Sequence, residues 1–103
     1  LDAAEILSYG DLQMNLHERT ARRGSRELAL TAREFALLAT LVREPRRVFS
    51  KGELLDRVWG YDSEVGANCV ETFISYLRAK LNGTPGSEAR IVTLRGAGYT
   101  LRR

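Results

Sequence analysis

The 103-residue chain has one cysteine, one histidine and two prolines, and each scarcity removes a class of structure or chemistry. A lone Cys69 cannot close an internal disulfide, so no disulfide framework holds the fold, and a reducing cytoplasm suits it. His17 and Cys69 alone cannot build a structural zinc site. No nucleophile–base spacing and no phosphate-binding loop is present, so the reading is of a non-enzyme with no metal and no cofactor. Gly96-Ala97-Gly98 lacks the spaced third glycine and following helix of a dinucleotide fingerprint. No apolar run approaches the roughly 20 residues that a membrane span needs. Residues 1–5 have neither the basic stretch nor the apolar core of a secretory signal, and with no initiator Met the chain is expected to be a piece of something longer.

What is present is the composition of a globular domain, with 44% hydrophobic and 28% charged residues. The net charge of +3 is unevenly spread. Residues 1–69 hold 10 Lys/Arg against 11 Asp/Glu, whereas residues 70–103 hold 6 Lys/Arg against Glu71 and Glu88. A basic C-terminal third on a near-neutral body is either ordinary solvated charge or a surface facing a polyanion.

The first thirty residues read as short strands. In Asp11-Leu12-Gln13-Met14-Asn15-Leu16 polar and apolar residues alternate, so Leu12, Met14 and Leu16 line one face of a half-buried strand. Stretches 20–23 and 26–30 flank Gly24-Ser25, where a first-position glycine permits a type II′ hairpin. Residues 6–9 add a fourth strand. His17 falls at a strand end, as a turn residue rather than a ligand.

Three times a capping residue precedes a glutamate by three positions: Thr31 and Glu34, Ser50 and Glu53, Asn68 and Glu71. Each pair is a capping box that opens an apolar pattern of helical period. The first helix presents Phe35, Leu38, Leu41 and Val42 and stops before Pro45. The second presents Leu54, Leu55, Val58 and Trp59, with Trp59 as core, and stops at Gly60. The third presents Val70, Phe73, Ile74, Leu77 and Leu81 and ends at Asn82-Gly83. Beyond a polar loop, 84–90, Ile91-Val92-Thr93-Leu94 and Tyr99-Thr100-Leu101 flank Arg95-Gly96-Ala97-Gly98 and read as a hairpin.

Strands, three helices and a terminal hairpin make an α+β winged helix-turn-helix: an N-terminal antiparallel four-stranded sheet, three helices and a C-terminal β-hairpin wing. The third helix is the candidate for a DNA major groove, which admits one helix. With its apolar stripe packed inward, Glu71, Thr72, Ser75, Arg78 and Ala79 face outward and Tyr76 lies at the boundary. Arg95, beside two glycines, sits on a hairpin tip able to reach a minor groove.

These residues resemble the effector domain of OmpR/PhoB-family response regulators. The likeness is carried by Leu30-Thr31-Ala32-Arg33-Glu34-Phe35 with Leu37-Leu38, by Ser50 with Leu54-Leu55, and by Val58-Trp59-Gly60. It continues through Val70-Glu71-Thr72-Phe73-Ile74-Ser75-Tyr76-Leu77-Arg78 and Thr93-Leu94-Arg95-Gly96-Ala97-Gly98-Tyr99. The resemblance implies a cytoplasmic, bacterial, two-component transcription regulator that binds double-stranded DNA as a dimer on direct-repeat half-sites. It also implies an upstream receiver domain, with residues 1–5 as a linker remnant and 6–103 as the DNA-binding domain. Carried over by position, Asn68, Glu71, Thr72, Ser75 and Tyr76 lie near bases and Arg78 on phosphate. Thr93, Arg95 and Gly96 form the DNA-contacting wing. Gly60, Tyr61, Asp62, Ser63 and Glu64 belong to the connector, 60–67, that relatives use to touch RNA polymerase. Several relatives carry arginine at the positions of Ser75 and Tyr76, so a bidentate Arg–guanine contact is missing at both.

Second readings stand beside these. Glu71 is a capping partner or a base contact, Tyr76 partial core or a DNA contact, and Arg78 a phosphate clamp or a solvated charge. Cys69 is a small packing residue or, at a helix start, a redox-sensitive thiol. The alternative for the whole chain is a winged-helix protein-interaction module that binds no DNA.

Overall fold

The alternation expected of the first strands is realised in a computed structural model, which describes residues 5–60, 68–81 and 89–102. Strands β1 (Ile6–Tyr9), β2 (Leu12–Asn15), β3 (Thr20–Arg23) and β4 (Arg26–Leu28) form an antiparallel sheet in sequence order. Leu12 and Met14 of β2, Ala21 and Arg23 of β3 and Leu28 of β4 are buried, so these three strands turn one face inward. Strand β2 is shorter at both ends than the alternating run, and β4 stops at Leu28 because Ala29 and Leu30 lead directly into the cap of the next helix. Arg23 pairs with Arg26 across Gly24-Ser25, and Gly24 supplies the positive φ, +59°, that this tight turn uses. His17 is exposed just beyond β2.

Helix α1 (Ala32–Arg43) begins at a complete capping box. The Thr31 hydroxyl accepts from Glu34 N–H at 3.2 Å, and a Glu34 carboxylate oxygen accepts from Thr31 N–H at 2.9 Å. Its Phe35, Leu37, Leu38, Leu41 and Val42 enter the core beneath the sheet. Helix α2 (Lys51–Leu54) opens on the matching box at Ser50 and Glu53.

The second helix departs from the simple expectation. After Leu54 the chain widens into a π-helical turn, Leu55–Trp59, closed by Gly60 N–H donating to the Leu55 carbonyl at 3.1 Å. The wider turn keeps Val58 buried and rotates Leu55 and Trp59 to the margin. Trp59 is therefore half-buried rather than central. It meets Phe73 edge-on at 5.3 Å, and the Arg33 guanidinium lies 5.5 Å from its ring centre.

Helix α3 (Asn68–Leu81) buries Val70, Ile74, Leu77 and Leu81, with Phe73 only half-buried against Trp59 and Tyr76. Strands β5 (Arg90–Leu94) and β6 (Gly98–Arg102) then pair antiparallel as the expected hairpin. Phe49, in the connection between α1 and α2, adds a bridge to its inner strand: the amides and carbonyls of Phe49 and Tyr99 exchange two hydrogen bonds of 2.8 Å. The hairpin is thus anchored to the helical body through β6, which leaves the turn at 95–97 projecting. The expected helix end at Asn82-Gly83 and the loop that follows lie outside the described residues. Among the described residues, no helix is long and apolar enough to cross a membrane.

Candidate nucleic-acid interface

With its apolar stripe buried, α3 presents Asn68, Glu71, Thr72, Ser75, Tyr76 and Ala79 to the exterior. Tyr76 rests edge-on against Phe73 at 5.6 Å while staying 51% exposed. The Thr72 hydroxyl donates to the Asn68 carbonyl at 3.1 Å, which leaves its lone pairs outward.

Asn68 is the first helical residue of α3 rather than the residue before it, unlike Thr31 and Ser50, which precede their helices. The expected Asn68–Glu71 box is therefore not formed in the manner of the other two. The Glu71 carboxylate instead reaches Lys51 at the start of α2, 3.2 Å away. This contact sets the openings of α2 and α3 side by side.

Arg78 also departs from a simple outward placement. It is half-buried and leans onto β5, where Nε donates to the Ile91 carbonyl at 3.1 Å and Nη2 to the Thr93 hydroxyl at 2.5 Å. Two residues expected to act separately are thus brought into contact. Arg95 and Gly96 stand exposed in the turn, where Gly96 holds a φ of +78°. The hairpin, Ser50, Lys51, Gly52 and Glu71 together line a cleft of about 550 Å³. Arg95 and Glu71, in the first turn of α3, consequently open on the same side.

Gly60 ends the π-helical turn with a φ of +79°, and Tyr61, Asp62, Ser63 and Glu64 lie outside the described residues. Cys69 is half-buried in the first turn of α3, as a packing residue would be. Among the described residues, no cluster of His, Cys, Asp and Glu could hold a metal ion.

The sequence reading missed what holds α3 from behind. Arg23, 2% exposed, donates to Asp11 Oδ2 at 2.9 Å, to the Leu81 carbonyl at 2.7 Å and to the Ala89 carbonyl. Arg26 donates to the Lys80 carbonyl at 2.9 Å, and Lys80 Nζ lies 2.5 Å from Glu34 Oε1. The last carbonyls of a helix lack partners within it, and these arginines supply them. One signal was legible: in β3 the alternation that buries Ala21 also buries Arg23, and a buried arginine needs partners. Desolvation works to raise the pKa of Asp11, but hydrogen bonding to Arg23 and its charge outweigh it and hold the carboxyl below its ordinary value. Burial likewise works to raise Glu34, and contact with Lys80 and the Thr31 amide brings it down.

Residues 25–101 match the family described as transcriptional regulatory protein, C terminal. The response regulator MprA of Mycobacterium leprae is 42% identical over 103 residues, covering 98% of this chain and 45% of that protein. A structure described as belonging to redox sensors of the streptococci, evolved from two-component response regulators, superposes with a TM-score of 0.83 at 40% identity. That match covers 93% of this chain and 41% of the other. The Klebsiella pneumoniae RstA DNA-binding domain, solved in complex with the RstA box, gives a TM-score of 0.81 at 26% identity over 95% of this chain and 97% of its own. The chain spans about half the length of the curated relatives it matches.

Proposed function

The chain belongs to the family of transcriptional regulatory protein C-terminal domains, and on that premise we propose that it binds double-stranded DNA in a sequence-dependent way to control transcription. Its role is binding, not catalysis. Helix α3 enters the major groove with Glu71, Thr72, Ser75 and Tyr76 toward base edges and Asn68 at its leading end. The hairpin flanks the duplex with Arg95 and Gly96 toward the minor groove and backbone. Arg78 and Thr93, already in contact, meet a phosphate between them. The observation that carries this reading is the shared opening of Arg95 and of Glu71, in the first turn of α3, on one cleft.

Residues 6–103 act as the DNA-binding domain, and 1–5 are the end of a linker from a receiver domain in a cytoplasmic bacterial response regulator. Relatives of about twice this length support that placement. Two copies bind direct-repeat half-sites about one helical turn apart, and phosphorylation of the receiver raises their effective concentration. The connector from Gly60 through Glu64 meets RNA polymerase.

Selection of duplexes from a random pool, followed by a salt titration, tests the central claim. Enrichment of one sequence and a log–log salt slope of about −4 to −5, for roughly four to six neutralised phosphates, is the expected result. No enrichment and a slope near zero would turn the reading to a protein-interaction module.

A further inference from the structure

Arg23 contacts neither of the elements that would face DNA with an exposed atom, yet it ties both together. Its guanidinium donates to the carbonyl of Leu81, the last residue of α3, and to that of Ala89, immediately before β5. The two carbonyls lie on either side of the connection between helix and hairpin. Nε is meanwhile fixed by Asp11 Oδ2, beside the β1–β2 turn. One planar fork therefore relates three elements, and its rigidity suits that task better than the flexible stem of a lysine.

A buried guanidinium is a costly way to fill space, and an apolar side chain of similar volume would pack there at less desolvation cost. The position of its partners points to another use. Arg26 takes the Lys80 carbonyl and Glu34 takes the Lys80 ammonium, so the last turn of α3 is gripped from β3, β4 and α1. At the hairpin, Arg78 grips the Ile91 carbonyl from α3. Base recognition requires side chains placed to within a fraction of an ångström, which needs locked supports behind them.

We propose that Arg23, oriented by Asp11, is a positioning residue that holds α3 and the hairpin at the mutual angle sequence discrimination requires. This rests on the DNA-binding reading above. Removing the fork leaves the phosphate-facing charges in place and blurs the register of α3 against base edges.

The test compares wild type with Arg23→Lys, which keeps the charge but cannot span both carbonyls. Affinities are measured for a selected duplex and a scrambled one, at a temperature where circular dichroism shows both proteins fully folded. The ratio of the two affinities is expected to fall about tenfold, the scale of one base contact's discrimination, while scrambled-duplex affinity stays within about twofold. A ratio equal to wild type, with both affinities lowered alike, overturns the proposal. Should Arg23→Lys not fold, Asp11→Ser, which leaves the guanidinium facing its two carbonyls but removes the carboxylate that orients Nε, is read by the same ratio. Amide exchange separates this outcome from failure of the DNA reading. If wild type discriminates no duplex, faster exchange in Arg23→Lys confined to the end of α3 and the start of β5 still supports the positioning role, and uniform or unchanged exchange overturns it.

Discussion

Arg78 Nη2 lies 2.5 Å from Thr93 Oγ1, joining the last turn of α3 to the hairpin through side chains that both belong to the candidate interface. The contact leaves the guanidinium half-buried and fixed, so the phosphate proposed to bind between helix and hairpin would meet an ordered donor set.

That pairing predicts non-additivity. Arg78→Ala and Thr93→Ala should each weaken DNA binding, and the double variant should lose less than the sum by about 1 kcal/mol. Thermal unfolding measured in parallel separates the DNA effect from any loss of hairpin stability. Strictly additive affinities would mean that the two residues act on DNA independently.

A different split is expected between hairpin tip and helix face. Arg95 is exposed in the turn, and Arg95→Ala should weaken selected and scrambled duplexes alike, with the salt slope shallower by about 0.9. Thr72→Ala and Ser75→Ala should instead change which sequences are preferred, by about 1–3 kcal/mol of discrimination at the facing base pair. Binding titrations at several salt concentrations against a panel of single-base variants check both.

How much of this could be read in the chain itself depends on whether the signal was local. Leu12 and Met14 announce their strand by period, and Thr31 with Glu34 announces a helix start, because each pattern resides in consecutive residues. The hairpin and the exposed face of α3 follow from the same local rules. The π-helical turn at Leu55–Trp59 does not, since its residues fit an ordinary helix and Gly60 serves as a stop in either case. Nor do Arg23 with Leu81, Glu71 with Lys51, or Phe49 with Tyr99, which are tertiary meetings between segments far apart in sequence. The exposed face of α3 and the hairpin turn were legible, whereas of the contacts behind them only the inward place of Arg23 in β3 could be read.

Asp11 and Glu34 predict the acid limb of stability. Both carboxyls titrate below their ordinary values of 3.8 and 4.5 in the folded chain. Groups depressed in this way add stability that is complete above the unfolded values and lost as pH falls through the folded ones. The midpoint of thermal unfolding should therefore hold steady down to about pH 5 and decline below about pH 4.5. Glu34→Gln should start from a lower midpoint at neutral pH and decline less steeply. An acid limb as steep in Glu34→Gln as in wild type would remove Glu34 as a contributor.

The two hairpin glycines should respond unequally to alanine. A Cβ at Gly98 would fall 1.9 Å from the Phe49 carbonyl oxygen and 2.9 Å from Ser50 Cα, at a φ of +141°. Neither obstacle is a side chain that could swing away. The backbone bridge between Phe49 and Tyr99 must open to admit the methyl, freeing the inner strand of the hairpin from the helical body. At Gly96 a Cβ would meet nothing within 4 Å, so only the left-handed backbone, φ +78°, resists. Urea unfolding should show Gly98→Ala losing about 3 kcal/mol or more and Gly96→Ala about 1 kcal/mol. DNA affinity measured on folded protein should fall further in Gly98→Ala, because a hairpin released from Phe49 no longer holds Arg95 beside α3. Equal losses at the two positions would show that backbone conformation, and not the close approach of Phe49, is what requires glycine there.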